Sequence, residues 1–328
     1  MGTYKSKRFK SILAICLGTA VLGACGKSSG QSKDKLKLLL TINEMDTFRQ
    51  TLADAAQNTA SDYGSSLEVV DAQGVIENQV DQIQDAAAKG YDAILCGPID
   101  VDTATELKSS SKELPIIFIN SCPDEKYLVE GEYVYVGSSE SVAGEYQAEY
   151  MLRKLSSKDE INVALIEGPP GHSATVGRTK GVKKALKASG KKINYVFEDS
   201  ADWSEDKAKE LFQIFLKTGN PVDCVICNND SMALGVVKAC KENDIDPSSL
   251  LILGVDATAD GCAAIQSGDM AFTVYQSGAG QGKAAVDAAF AILSDGSVKD
   301  VEGASDDGKY VWVPFEKVDS SNVAQYMK

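Results

Sequence analysis

From residue 36 onward, the sequence alternates short apolar runs rich in β-branched residues with longer amphipathic runs. Runs such as "LKLLLTI", "YDAILCG" and "LPIIFIN" are apolar throughout, which is typical of strands covered on both faces of a parallel sheet. The stretches between them, such as "DTFRQTLADAAQNTASDYG", have helical periodicity. About 290 residues follow this pattern, enough for two ordinary domains. The pattern therefore predicts an α/β fold with two doubly wound parallel sheets.

The first 35 residues differ from this pattern. "MGTYKSKRFK" holds four basic residues and no acidic one, and the apolar run after it is short for a membrane-spanning helix. The run ends in "LGAC", and a small polar stretch follows Cys25. This order resembles the signal and lipobox of a bacterial lipoprotein, which implies a signal peptide over 1–24, lipid attachment at Cys25 and a flexible tether over 25–35. An ordinary signal peptide, or an anchor helix with a chance cysteine, is the alternative.

Charge and composition exclude several classes of protein. The formal net charge is −14, and loss of the basic signal makes the remainder more acidic. So acidic a chain is not expected to bind nucleic acid or to lie on a membrane through an amphipathic face. With one histidine in the chain, a zinc site has almost no material, and neither a metal nor a cofactor is expected. Cys96, Cys224 and Cys227 belong to strand-like runs and are expected to be buried small apolar residues.

Polar residues follow several predicted strands at their carboxyl ends. In open α/β sheets the ligand crevice lies beyond these ends, so these side chains are expected to face one crevice. The alternative is that Asn and Asp cap the following helices, and Asp230 is expected to be such a cap. The candidates are Asp46, Asn120, Asn228, Asn229, Asp256 and Gln276.

The loop "EGPPGHSATVGRTKG" carries the single histidine and resembles a phosphate-binding loop. Five residues separate Gly171 from Gly177, where a phosphate-binding loop has four, and Arg178 stands where that loop has lysine. Nucleotides are scarce outside the cytoplasm, so an exported chain is expected to use this loop for another ligand.

Four motifs resemble those of the class I periplasmic sugar-binding proteins, the substrate receptors of ABC importers, and most closely the galactose/glucose-binding branch. They are "GPPGHSATVGRTKGV", "CNNDSMALG", "LGVDATADGCAAIQSGDMAFTVYQ" and "VWVPFEKVDSSN", in the same order and spacing. The resemblance covers nearly all of residues 36–328. It implies periplasmic-binding-protein type I architecture: two Rossmann-like lobes joined by three crossovers, near Gly137–Ser138, Gln276 and Trp312. The N-terminal lobe would comprise 36–137 plus 277–311, and the C-terminal lobe 138–276 plus 312–328.

The resemblance also implies a set of sugar contacts between the lobes. Phe48 and Trp203 would stack on the two faces of the sugar ring. Polar side chains would bond its hydroxyls, and hydrogen bonds to charged groups contribute roughly 1.5–3 kcal/mol each. These polar residues are Asp46, Asn120, His172, Arg178, Asn229, Asp256 and Gln276. Core packing of Phe48, a structural role for Trp203 and a surface position of His172 remain as alternatives.

Two departures from the branch concern which sugar is recognised. Ala174 stands where the branch has an aspartate that reaches the anomeric hydroxyl, and Gln276 stands where it has asparagine. Together they leave room for a C1-substituted sugar, a different hexose or a cyclitol.

The function implied is that of a monomeric extracytoplasmic substrate-binding lipoprotein, held at the membrane by lipid on Cys25. It would close around a galactose- or glucose-like hexose by hinge motion and deliver it to the transmembrane subunits of an ABC permease. The alternatives are a receptor for a pentose, inositol or C1-substituted sugar, and a sensor that feeds a membrane kinase or chemoreceptor. An enzyme is not expected, because Gly-x-Gly-x-x-Gly is absent after the first strand and Gly-x-Ser-x-Gly follows none of the predicted strands.

Overall fold

The computed structural model describes residues 35–327, in which strands and helices alternate. The predicted signal peptide, Cys25 and residues 26–34 of the predicted tether lie outside this range. The strands are β1 (Lys37–Ile42), β2 (Ser66–Asp71), β3 (Ala93–Cys96), β4 (Ile116–Ile119), β5 (Tyr133–Gly137), β6 (Glu160–Glu167), β7 (Lys192–Ser200), β8 (Cys224–Cys227), β9 (Leu251–Leu253), β10 (Phe272–Tyr275), β11 (Tyr310–Trp312) and β12 (Glu316–Asp319). The helices are α1 (Thr47–Asp62), α2 (Ile76–Ala88), α3 (Ala104–Ser110), α4 (Glu140–Lys154), α5 (Ser173–Ala188), α6 (Glu205–Leu216), α7 (Asp230–Glu242), α8 (Ala259–Ser267) and α9 (Gly278–Asp295).

The strands form two six-stranded sheets. The N-terminal sheet has the order β11-β5-β4-β3-β1-β2, and the C-terminal sheet has the order β12-β10-β9-β8-β6-β7. Neighbouring strands are parallel in both sheets, except that β12 pairs antiparallel with β10. The predicted class, two doubly wound α/β lobes, is confirmed. The sequence did not predict β12, because its residues "EKVD" are mostly polar and the strand pairs at one edge of the sheet.

The chain passes between the two sheets three times, after β5, after β10 and after β11, as predicted. Trp312 ends β11 in the N-terminal sheet, where it stacks on Tyr310 with ring centroids 4.8 Å apart. The N-terminal lobe therefore extends one residue beyond the limit predicted from the sequence. The other lobe limits stay as predicted boundaries.

Helices cover both faces of each sheet, which explains why the central strands are apolar throughout. In the N-terminal lobe, α1 and α9 pack on one face and α2 and α3 on the other. In the C-terminal lobe, α4 and α5 pack on one face and α6, α7 and α8 on the other. Strands β3 and β8 are buried at every residue. Each lobe therefore has its own two-sided core.

Glycines let paired helices approach closely in both lobes. A Cβ on Gly144 of α4 would overlap the carbonyl oxygen of Arg178 in α5, and one on Gly181 would overlap that of Ser141. In the other lobe, a Cβ on Gly282 of α9 would overlap the carbonyl oxygen of Leu52 in α1. These contacts fix the helices that carry several of the predicted ligand contacts.

The described part of the chain contains six free cysteines, of which Cys122 is the least buried. Cys96, Cys224 and Cys227 are fully buried in the cores, as predicted from their positions in strand-like runs. Within residues 35–327, no cluster of three His, Cys, Asp or Glu side chains could hold a metal ion. No helix in that range combines the length and the apolar character needed to cross a bilayer.

Candidate functional site

The nine predicted ligand contacts lie just beyond the carboxyl ends of strands, where parallel sheets place ligand crevices. In the N-terminal lobe Asp46 and Phe48 follow β1, and Asn120 follows β4. In the C-terminal lobe the remaining residues follow β6, β7, β8, β9 and β10; they are His172, Arg178, Trp203, Asn229, Asp256 and Gln276.

Three of these residues also cap helices. Helix capping and ligand contact, the two interpretations of polar residues at strand ends, are therefore compatible with each other. Asp46 accepts a hydrogen bond from the Arg49 amide at 2.7 Å, and Asn229 accepts one from the Met232 amide at 2.9 Å. His172 accepts one through Nδ1 from the Ala174 amide at 3.2 Å. The prediction that Asp230 caps α7 was wrong, because Asn229 is the cap. The cap uses the side-chain oxygen of Asn229, which leaves the side-chain nitrogen as a donor for a ligand.

Arg178 is the centre of the charged part of the site. Its side chain is 5% exposed, and its Nε donates to Oε2 of Glu140 at 2.7 Å. One terminal nitrogen donates to the carbonyl oxygen of Asn228 at 2.7 Å and lies 3.5 Å from Oδ1 of Asp256. Burial alone would lower the pKa of the guanidinium, but the carboxylates of Glu140 and Asp256 raise it. Arg178 is therefore a fixed, buried cation.

Asp256 is held in an unusual backbone conformation beside this cation. Its φ is +113°, and Ala257 after it has φ +51°. Burial raises the pKa of the Asp256 carboxyl to about 6; the Arg178 charge opposes this shift, while Glu140 and Asp46 add to it. Strained backbone of this kind costs of order 1–3 kcal/mol per residue and is concentrated at functional sites. Asn120 and Trp203, each with φ +64°, share this feature.

His172 and Trp203 meet edge to face, with ring centroids 5.3 Å apart and planes at 83°. The Arg178 guanidinium lies 5.9 Å from the Trp203 ring, and Gly168 leaves room for that ring, because a Cβ there would overlap it. Burial lowers the pKa of His172, and the charges of Arg178 and Arg49 lower it further. The imidazole is therefore neutral at pH 7, and since Nδ1 accepts a hydrogen bond, the proton lies on Nε2.

The N-terminal side of the site is more open. Asp46 is half exposed and forms an ion pair with Arg49. Phe48 is partly buried and packs on the core of its own lobe, next to Gly278, as the alternative of core packing described; its stacking on a ligand stays a prediction. Asn120 lies with its amide nitrogen 3.4 Å from Oε1 of Gln281. Polar groups of the two lobes lie close enough to interact electrostatically. The charge of Asp46 helps to raise the pKa of Asp256, and the charge of Arg49 helps to lower that of His172.

Both lobes thus contribute polar groups beyond the carboxyl ends of their strands. The chain matches the periplasmic binding protein domain family over residues 38–297. The chain belongs to this family.

Individual proteins similar to the chain are substrate receptors. A Rhizobium meliloti protein described as rhizopine-binding is 30% identical over 304 residues, 92% of this chain and 91% of that protein. The D-galactose/methyl-galactoside binding periplasmic protein MglB of Haemophilus influenzae is 28% identical, over 81% of this chain and 83% of its own. An ABC transporter solute binding protein of Bacillus halodurans, solved with bound myo-inositol, superposes with a TM-score of 0.76 at 27% identity, covering 91% of this chain and 99% of its own. The chain is thus a substrate-binding protein and not an enzyme.

Two further acidic residues of this periplasmic binding protein lie next to the predicted ligand contacts and were not themselves predicted. Glu140, the first residue of α4, bonds Arg178 and lies with Oε1 3.5 Å from the Gln276 amide nitrogen. Asp230 is fully buried beneath the site and accepts bonds from the Thr258 amide at 2.8 Å and the Thr273 hydroxyl at 2.6 Å. Burial, with the Asp256 charge, raises the pKa of Asp230 to about 7. The sequence offered one signal for each residue: Glu140 is an acidic residue just after the first crossover, and Asp230 is one just after the buried strand β8.

Proposed function

We propose that this periplasmic binding protein is the extracytoplasmic receptor of an ABC importer and binds a neutral cyclic polyol between its lobes. The observation that carries the proposal is the buried Arg178, which is paired with Asp256 beyond the carboxyl ends of the C-terminal strands. Such a pair offers donors and acceptors in fixed directions to neighbouring hydroxyl groups, which both donate and accept.

The surrounding groups suit an uncharged ligand better than an ion. Carboxylates and guanidinium groups alternate around the site, with Asp46 next to Arg49 and Asp256 next to Arg178. Each of these two guanidinium groups therefore already has a carboxylate partner. The neutral His172 would donate from Nε2, and the Asn229 amide would donate from its free nitrogen. Trp203 would present its ring to the C–H face of the polyol, as aromatic side chains do in small-molecule sites.

The similar proteins do not single out a galactose- or glucose-like hexose. Their descriptions name rhizopine, D-galactose with methyl-galactoside, and myo-inositol. A cyclitol therefore fits as well as the predicted hexose, and the short Ala174 side chain in the first turn of α5 is compatible with either. The other parts of the proposal are lipid attachment at Cys25, membrane anchoring through it, delivery to permease transmembrane subunits, and a monomeric state.

Calorimetric titration of the mature chain tests the proposal. The ligands are galactose, glucose, their methyl glycosides, ribose and myo-inositol. At least one six-membered polyol is expected to bind with a Kd of about 10 μM or tighter, equivalent to roughly 7 kcal/mol. If the site is open at C1, as Ala174 suggests, the methyl glycoside of a binding hexose loses little affinity. An absence of binding by the whole series, or chemical turnover of any of them, would contradict the proposal.

A further inference from the structure

Glu140 lies, only slightly exposed, where two crossovers meet, and it is not a predicted ligand contact. It is the first residue of α4, three positions after the end of β5, and its side chain is 11% exposed. Gln276, whose amide nitrogen lies 3.5 Å from Oε1 of Glu140, immediately follows β10 at the second crossover. The Glu140 carboxylate thus lies between two connections of the lobes.

The same carboxylate fixes the orientation of Arg178. Oε2 of Glu140 accepts the Nε hydrogen at 2.7 Å, and the Asn228 carbonyl accepts a hydrogen from a terminal nitrogen at 2.7 Å. Gly177 permits the approach of α5, because a Cβ there would lie 2.5 Å from the Glu140 Cβ. With Nε and one terminal hydrogen occupied, the planar guanidinium has little rotational freedom left.

We propose that Glu140 is a positioning residue of the binding site: it holds the Arg178 guanidinium so that its other hydrogens face Asp256 and the ligand. This inference rests on the proposed function for its effect on affinity, but the geometry of Arg178 is independent of any ligand. Glu140 acts through Arg178 and need not touch the ligand itself.

The charge of Glu140 has a second consequence, at Asp256. Asp256 faces Arg178 from α5, Glu140 from α4, Asp46 from the N-terminal lobe and the buried Asp230 from α7. Burial is the main cause of its raised pKa, and Glu140 adds to that shift. Without the charge at position 140, Asp256 is the only carboxylate paired with Arg178 and no longer has the Glu140 charge nearby. The pKa of Asp256 is therefore expected to fall.

Three variants separate the contact from the charge. Glu140→Gln keeps the size of the side chain and removes its charge. Glu140→Asp keeps the charge but withdraws the carboxylate by one methylene from Nε. Glu145→Gln, at a partly exposed position of the same helix, removes a carboxylate that lies 3.0 Å from Nζ of Lys184 and serves as the matched control. Thermal melting establishes that each variant folds before it is compared.

The experiment uses nuclear magnetic resonance of isotope-labelled full-length protein and calorimetric titration with myo-inositol and galactose. In the ligand-free wild type, the Arg178 Nε–H signal is expected to be protected from exchange. Glu140→Gln is expected to lose most of this protection, to lower the pH midpoint of the Asp256 carboxyl signal, and to bind the polyol about tenfold more weakly. Glu140→Asp is expected to weaken binding with a smaller change in that midpoint. Glu145→Gln should match the wild type in all three measurements.

An unchanged Nε–H signal and Asp256 midpoint in a folded Glu140→Gln variant would overturn the inference, even if affinity fell. If neither polyol bound the wild type while the Arg178 signal still depended on Glu140, the positioning of Arg178 would be supported and the proposed function overturned for these ligands.

Discussion

The two sides of the candidate site differ in how completely they are built before a ligand arrives. On the C-terminal side, the Arg178 side chain is 5% exposed and bonds both a carboxylate and a backbone carbonyl. On the N-terminal side, the Asp46 side chain is 50% exposed and pairs with Arg49 in the same helical turn. Ordering a side chain on binding costs about 0.5–1.5 kcal/mol, so contacts to preordered groups yield more net affinity. We therefore expect the C-terminal side to dominate binding.

The largest expected effect comes from matched changes on the two sides. Asp256→Asn is expected to weaken polyol binding about 100-fold, because a hydrogen bond to a charged acceptor contributes roughly 1.5–3 kcal/mol. Asp46→Asn is expected to weaken it by less than about tenfold, because that carboxylate is half exposed and already paired with Arg49. Calorimetric titration of both variants with the best ligand measures the difference.

Both substitutions keep the size of the side chain, and melting temperatures show whether either disturbs the fold. Equal losses for the two variants would contradict the idea that one side is prepared in advance. A larger loss at Asp46 would reverse the assignment and place the main binding determinants in the N-terminal lobe.

The sequence predicted the fold well because strand and helix periodicities are local signals. Strands such as β3 and β8 are apolar at every position, so their burial in a parallel sheet follows directly. The strand β12 carries no such signal, since Glu316 and Lys317 are exposed on an antiparallel edge. Its place depends on the third crossover, which is a property of the tertiary fold.

Prediction of the site went as far as the placement of residues after strands. Asp256 and Asn120 could be expected at the crevice because parallel strands end at one edge. The bond from Arg178 to Glu140 could not, since the two residues are 38 positions apart and meet only when α4 packs on α5. The raised pKa of Asp256 is likewise a consequence of burial, which the residue type does not reveal.

A second comparison uses the glycines between paired helices. Gly144→Ala is expected to destabilise the protein by about 1–3 kcal/mol, because the new methyl group meets the Arg178 carbonyl. The displacement of α5 is also expected to reduce polyol affinity up to about tenfold. Gly282→Ala, which meets the Leu52 carbonyl in the other lobe, should cost similar stability and less affinity. Denaturant unfolding and titration of both variants separate these effects, and a greater affinity loss with Gly282→Ala would contradict the comparison.

The pH dependence of binding tests the role of the C-terminal carboxylate. The pKa of Asp256 is raised to about 6, mainly by burial, so its ionised fraction falls as the pH drops through that value. Affinity is expected to be constant above this range and about tenfold lower one pH unit below it, if the ligand requires the carboxylate. The raised pKa of Asp256 also affects the free energy of unfolding of the ligand-free protein. Because the folded state binds the Asp256 proton more tightly than the unfolded state, this stability decreases as the pH rises from the unfolded-state pKa to about 6.

The control for this profile is Asp256→Asn, in which the affinity should no longer change across this range. Asp230, whose pKa is raised to about 7 by burial and by the Asp256 charge, remains in the variant but loses that charge beside it, so its pKa is expected to fall and any pH-dependent change that persists in the variant belongs to Asp230. An Asp256→Asn profile identical in shape to the wild type would remove Asp256 as the titrating group.

The smallest expected effect concerns His172, which lies on the C-terminal side but is only partly buried. His172→Gln retains a donor and loses the edge contact with Trp203, so affinity is expected to fall only about two- to tenfold, as for a neutral hydrogen bond. Because the pKa of His172 is lowered by burial and by two arginines, the variant should keep the wild-type pH midpoint near 6. A loss as large as that of Asp256→Asn would show that membership of the C-terminal side, and not the burial and charge of each group, determines its contribution. A shifted midpoint would instead assign part of the titration to the imidazole.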